Sequence, residues 1–236
     1  MELYLSRIIL DPMSKAVMHD LGSPRELHKT LSRCFPKIDG QEGKPPHERV
    51  TPRNAYGLLH RIDQKGECTV LYVQSNVRPD WHKLTPGYAI QADDKKIDHL
   101  YSAIRKGDRL QFRLVANPTK RAGKSDEGKE RFHDPKKRRR IDIRTEEGRI
   151  RWLARKGEEC GFRLANAASS DSIVAAEAST ERSLSFKHEA GRVTLGSALF
   201  TGVLEVTDAD AFRTALAKGI GPGKAYGFGL MSIARA

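Results

Sequence analysis

The chain has 236 residues and a mass of 26.4 kDa, with 42 Lys and Arg against 30 Asp and Glu, a formal charge of +12 and a pI near 9.7. That length suits one large domain or two small ones. Such a charge attracts polyanions, of which nucleic acids are the commonest in a cell, although a basic surface that serves only solubility is the plain alternative. No stretch approaches the roughly 18 consecutive apolar residues of a membrane-spanning helix, and Met1–Pro12 lacks the basic-then-apolar order of a secretory leader. The three cysteines, Cys34, Cys68 and Cys160, are too few and too scattered for a disulfide framework or a CxxC metal knuckle. A cytoplasmic chain with reduced cysteines and no membrane partner is expected.

Taken in order, Leu3–Leu10 is an apolar run, and after a turn the pattern predicts a helix over Pro24–Phe35. Lys37–Asn54, rich in Gly, Pro and charge, reads as a mobile loop. Ala55–Ile62 and Cys68–Ser75 read as strands joined by the turn Asp63–Gly66. A turn-rich stretch leads to Arg109–Ala116, where Leu110, Phe112, Leu114 and Ala116 alternate with Gln111, Arg113 and Val115, the pattern of a half-buried strand. A second unit starts after Asn117-Pro118 with a basic run, Arg138–Ile143, and a helix, Glu146–Glu158, that turns Ile150, Leu153 and Ala154 to one side. Strands follow at Phe162–Leu164, Leu184–Lys187 and Val193–Val206, the last two joined by the turn His188–Gly191. Thr207-Asp208 caps a helix over Ala209–Lys218, and a Gly-rich loop leads to a closing strand, Leu230–Ile233. Strand, helix, hairpin, helix, strand in two copies predicts an α+β chain of two tandem ferredoxin-like (RRM-like) domains, residues 1–117 and 118–236.

The positive charge is local. Between Thr119 and Lys156 stand 15 Lys and Arg against 7 Asp and Glu, so this stretch carries +8 of the +12. Within it Lys120, Arg121 and the run Lys136, Lys137, Arg138, Arg139 and Arg140 suit an arm that grips phosphates, with a solvated loop as the alternative. Near the C-terminus, Gly219–Gly229 holds five glycines in eleven residues, so that Gly221 and Gly223, beside Lys224, let the backbone approach a phosphate closely. Ala225 stands where a Walker A loop needs Ser or Thr, and the dinucleotide pattern would have to follow a strand and open a helix. A tight loop that packs two domains together is the competing reading.

The first helix carries the most chemistry. Ser23, Pro24 and Glu26 form a capping box with proline at the first helical position, and Leu27, Leu31, Cys34 and Phe35 mark a buried stripe. His28 lies about 100° round from Leu27, and Arg25 and Ser32 share its strip, with Lys29 and Arg33 beside them. Neighbouring cations disfavour the imidazolium and leave a neutral imidazole able to accept a proton near pH 7. RNA scission needs a base for the 2′-hydroxyl, an acid for the departing 5′-oxygen and positive charge at the phosphate, roles within reach of His28, Arg25, Lys29, Ser32 and Arg33. An isolated surface histidine in a basic helix is more often a binding residue or a bystander. The acidic pairs Asp93-Asp94 and Asp208–Asp210 come nearest to a metal site, the second better explained as a helix cap, so no metal and no cofactor are expected.

Four landmarks, Leu3–Leu10, Leu27–Leu31, Phe112–Pro118 and Gly219–Gly229 followed by Leu230-Met231-Ser232, resemble in order the CasE-type CRISPR repeat-processing endoribonucleases of type I-E systems, within the RAMP superfamily. The glycine loop is shared with that wider superfamily of CRISPR RNA-binding proteins; its combination with the helix histidine and the Ala-Asn-Pro phrase is more specific. The resemblance implies two ferredoxin-like domains with a basic cleft and a metal-independent endoribonuclease. Such an enzyme cleaves precursor CRISPR RNA at the base of the repeat stem-loop by 2′-hydroxyl attack, keeps its product and joins the Cascade complex. The implied partners are the repeat RNA stem-loop and other Cascade subunits. His28 matches the family's catalytic histidine, and Lys187 and Arg192 fall where a hairpin should grip the stem. Family members often carry a tyrosine three residues before the histidine; here Arg25 stands there, unable to donate a proton at neutral pH but able to orient and neutralise a phosphate. A catalytically silent RNA-binding subunit of the same fold, or a basic structural module, are the alternatives.

Overall fold

The structure is a computed structural model that describes residues 2–236 except 41, 44, 46, 47, 49, 123–139, 167–175 and 189–190; at 52–53, 181–183, 186–188 and 191–193 it describes the backbone only. The first unit runs β1 (Tyr4–Leu10), α1 (Lys15–Gly22), α2 (Pro24–Arg33), α3 (Pro52–Tyr56), β2 (Leu59–Lys65), β3 (Cys68–Ser75), β4 (Ala89–Lys96) and α4 (Asp98–Ser102). The second runs β5 (Arg109–Ala116), β6 (Thr119–Arg121), β7 (Arg140–Asp142), α5 (Glu146–Cys160), β8 (Phe162–Leu164), β9 (Ala176–His188), β10 (Gly191–Val206), α6 (Ala209–Lys218) and β11 (Met231–Arg235). The sheet orders are β2-β3-β1-β4 and β11-β5-β10-β8, the ferredoxin-like arrangement twice over, with β9 added along β10 and β6–β7 as a separate ribbon.

The pattern of alternation explains each layer. Leu110, Phe112, Leu114 and Ala116 of β5 are buried against Trp152 and Leu153 of α5 and Phe212 and Leu216 of α6. In the first unit Ile8, Leu10, Leu71 and Val73 lie beneath Leu27 and Leu31 of α2, and burying each leucine contributes about 1.5–3 kcal/mol. Helix ends follow their caps. The Thr145 hydroxyl accepts from the Gly148 amide at 3.2 Å, the Asp208 carboxylate accepts from Asp210 and Ala211 at 3.0 Å, and Gly161 ends α5 at φ +76°.

Several expectations are corrected. β5, expected to close the first unit at residue 117, is an inner strand of the second sheet; β4 is the fourth strand of the first. β4 was hidden because it is an edge strand reading Ala-Ile-Gln-Ala-Asp-Asp-Lys-Lys, with too little apolar alternation to separate it from the turns before it. α1, a helix that the pattern does not predict, has Met18 and Leu21 facing solvent and only Val17 and Asp20 buried, so it carries no apolar stripe. α3 begins at Pro52, inside the stretch expected to be a loop. Ser23 is the N-cap of α2, yet no capping box forms, because the same residue also ends α1. Its amide donates to Asp20 O, its carbonyl accepts from Glu26 and Leu27, its side chain makes no cap bond, and Glu26 pairs with Lys29 instead.

The two units join through the face of the first sheet that the helices leave bare. Arg61 of β2 donates to Leu230 O at 3.0 Å, Arg113 O at 3.3 Å and Ser232 Oγ at 2.9 Å. Gln74 of β3 donates to Leu216 O at 2.9 Å at the end of α6.

Candidate active site and nucleic-acid interface

His28 sits half-buried on α2, beside the buried stripe of Leu27 and Leu31 that fixes the helix on the sheet. Of the side chains expected around it, Arg25 is exposed one turn earlier on the same strip, and Ser32 one turn later donates its hydroxyl to His28 O at 2.6 Å. Lys29 points off that strip and pairs with Glu26 at 2.7 Å; Arg33 is exposed in the last turn, further round the helix.

The histidine has a neighbour the sequence did not single out. His60, on β2, is opposite Val73 in the sheet register and so shares the face covered by α2. It is 1% exposed, and burial, with a smaller contribution from the charge on His28, pushes its pKa down to about 3. A histidine inside the run Ala55–Ile62 reads like any strand position; the available signal is the His-Arg-Ile-Asp string, three polar residues in four within a strand, of which His60, Arg61 and Asp63 are buried.

The glycine loop, residues 219–229, completes this junction. Ile220 N donates to Gly229 O and Gly229 N to Val115 O, both at 2.9 Å, so its base is closed against β5. Its inner 3₁₀ turn, Lys224–Tyr226, touches both α2 and β2. Gly227, at φ +88°, lies so near His60 that a Cβ there would stand 3.4 Å from Nε2.

The other flank of the loop faces a cationic cleft of about 760 Å³. Lys120, Arg121, Arg140, Gly221 and Lys224, all expected to bind phosphate, come together here, joined by Arg155 and Lys156 of α5. A neighbouring groove of about 1230 Å³ continues it past Arg144 and Arg151. Arg151, Arg155 and Lys156 are brought to these clefts by α5, and Arg144 by the turn before it, a placement that a local charge count does not contain. Gly223 caps the 3₁₀ turn in the left-handed region. Lys187 and Arg192 are opposite each other in the β9–β10 hairpin, though their side chains are outside the described residues, as are Lys136, Lys137, Arg138 and Arg139 altogether. Among the described residues no three His, Cys, Asp or Glu side chains gather as a metal site, and no helix is long and apolar enough to cross a membrane.

The arrangement can hold a polyanion along the second unit and present one of its phosphates to an imidazole on the first. The chain is also similar to known proteins over nearly its whole length. The chain is 34% identical to the CRISPR-associated endoribonuclease Cse3 of Thermus thermophilus, over 98% of this chain and all of the relative. It is 28% identical to the CRISPR system Cascade subunit CasE of Escherichia coli, over 98% and 99%. The structure of Thermus thermophilus Cse3 bound to an RNA representing a pre-cleavage complex superposes with a TM-score of 0.75 at 31% identity, covering 99% of this chain and all of that one. A profile of the family described as CRISPR associated protein matches residues 3–235, and the chain belongs to that family.

Proposed function

We propose that the protein is an endoribonuclease that cleaves precursor CRISPR RNA at the base of the repeat stem-loop and then stays with its product as a Cascade subunit in the cytoplasm. One observation carries this reading: a single glycine loop joins the His28 helix to a cleft lined by Lys120, Arg121, Arg140, Arg155, Lys156 and Lys224, in a chain that matches an endoribonuclease from end to end. The cations hold the stem through its phosphates, a shape-directed mode suited to A-form RNA.

His28 removes the 2′-hydroxyl proton. The freed oxygen bonds to the adjacent phosphorus, the bond to the 5′-oxygen breaks, and that oxygen takes a proton from solvent, leaving a cyclic phosphate and a 5′-hydroxyl. Arg25, one turn away, holds the phosphate by two hydrogen bonds and offsets its growing charge. The two units divide this labour, chemistry on the first and grip on the second, with β5 belonging to the second sheet.

Incubation with a repeat hairpin in EDTA tests the reading. Cleavage should persist in the chelator, and His28→Ala should lower the single-turnover rate by roughly 10²-fold or more with little change in hairpin affinity. Rescue by Mg²⁺ of an EDTA-silenced enzyme would contradict the acid–base mechanism. Binding without cleavage by the parent protein would favour a silent RNA-binding subunit.

A further inference from the structure

A second cleft, of about 310 Å³, opens on the far side of the glycine loop from the cationic one, between the start of α2, strand β2 and the outer face of β5. That volume is at the lower end for a small-ligand pocket. Pro24 and Leu27, which line it, precede His28 by four and one positions, so the cleft borders the candidate catalytic strip.

Its lining differs in kind from the cationic groove. Leu21, Leu27, Ile62, Val115 and Leu184 give apolar walls, and Tyr226 contributes a ring. The charges inside are already matched. Asp63 receives two bonds from Arg61, at 2.8 and 2.9 Å, and Asp20 accepts from the Tyr88 hydroxyl at 2.9 Å. Two guanidiniums, Arg61 and Arg113, stand against the two carboxylates, so the lining carries no net charge to draw in a phosphate, unlike the cationic groove. A flat uncharged group with a polar edge needs no such attraction. Two buried polar atoms of the lining residues lack a hydrogen-bond partner among the described residues: His60 Nδ1, and Arg113 Nε, which is 3.5 Å from Asp63 Oδ2.

The reaction creates a group of that description. Attack by a 2′-oxygen needs it in line with the departing 5′-oxygen, an arrangement that continuous A-form stacking denies, so the two nucleotides at the cleaved bond must splay apart. A base that leaves the stack loses a few kcal/mol unless protein surface receives it, and RNA-binding proteins receive such bases on aromatic and apolar side chains with polar groups at the edge.

We propose that this cleft is a nucleobase slot, receiving the unstacked base beside the cleaved phosphate between Leu21, Ile62 and Tyr226, with His60 and Arg113 at its polar edge. The proposal rests on the endoribonuclease reading and deepens it: the loop sorts the substrate, backbone to one side and base to the other.

The test uses a repeat hairpin with a 2′-deoxy nucleotide at the cleaved position, so that it binds without reacting, and 4-thiouridine on either side of that phosphate. Irradiation with the full-length protein should crosslink one of the two positions to peptides carrying residues 60–64 or 226–228. Crosslinks confined to the cationic cleft, or none at either peptide, overturn the slot. In parallel, Ile62→Trp, made at a partly exposed rim position, should slow single-turnover cleavage of the ordinary hairpin at least 10-fold with affinity changed less than 3-fold. An abasic nucleotide at the crosslinking position should slow the parent protein similarly, and the two losses should not multiply. Unchanged rates, or losses that multiply, would also overturn it. His28→Ala separates the two ideas: full cleavage by that variant removes the catalytic assignment while the crosslinks still decide the slot, whereas an inactive variant with crosslinks elsewhere removes the slot only.

Discussion

His28 and His60 reach one junction from different elements, and their surroundings divide their roles. His28 is half-buried beside exposed cations, whereas His60 is buried on the face under α2, where the second cleft reaches it, and is held neutral. The consequence for stability has a definite sign. In the unfolded chain His60 takes up a proton near pH 6.5; in the fold it stays neutral down to about pH 3. Between those values the unfolded state binds the extra proton, so acidification through that window destabilises the fold by up to about 1.4 kcal/mol per pH unit. His60→Leu, which has no proton to gain, should lose about 2 kcal/mol less stability than the parent between pH 7.5 and pH 5 in urea unfolding. Equal acid sensitivity would mean that His60 takes up its proton in the fold. At this scale the sequence was informative where a residue type broke its own background. A histidine among arginines on a helix strip marks His28, while His60, Arg61 and Asp63 read as ordinary strand residues, because α2 covers the first and the carbonyls of Arg113 and Leu230 receive the second only in the folded chain.

At the scale of elements, legibility followed burial. β5, β8 and α6 lie where alternation and capping put them, since each has one fully apolar face or a side-chain cap. α1 and β4 do not, because tertiary contacts rather than their own patterns hold them. The glycine loop was legible as a close approach but not as to what it approaches. Gly229, at φ +89°, is one place where the backbone itself forbids a side chain, a Cβ there standing 2.8 Å from Ile220 O. Gly227 has a similar φ, but its nearest neighbour is the His60 ring at 3.4 Å. The left-handed conformation costs about 1–2 kcal/mol for either alanine, and only at Gly229 must backbone move as well. Gly229→Ala should therefore lower unfolding free energy by more than about 2 kcal/mol, and Gly227→Ala by less, as judged by chemical denaturation. Equal losses would show that the closure Ile220–Gly229 yields easily.

Across the whole molecule, the repeated strand order could be read from one chain, but the way the copies meet could not. The joint is made by residues 52 and 169 positions apart, Arg61 with the carbonyls of Arg113 and Leu230. Arg61 also binds Asp63 through two of its nitrogens and lies over the Tyr72 ring at 5.5 Å, and both partners of the ion pair are 3% exposed at the side chain. A guanidinium so placed is satisfied only while both units are in position, which ties the His28 helix to the cationic cleft as one body. Removing one partner of such a pair leaves the other buried and uncompensated, at a cost of about 3–5 kcal/mol, whereas replacing both by apolar groups of similar size is often close to neutral. Asp63→Ala should accordingly destabilise the protein by that amount, and the double variant Arg61→Met/Asp63→Leu should recover part of it. The recovery should be incomplete, since the carbonyls of Arg113 and Leu230 lose their donor. RNA cleavage adds a readout that stability does not give: at a temperature where all three proteins are folded, both variants should bind the repeat hairpin yet cleave it more slowly, because grip resides on one unit and His28 on the other. If Asp63→Ala costs less than about 1 kcal/mol and cleaves at the parental rate, the clamp does not set the relation between the two units.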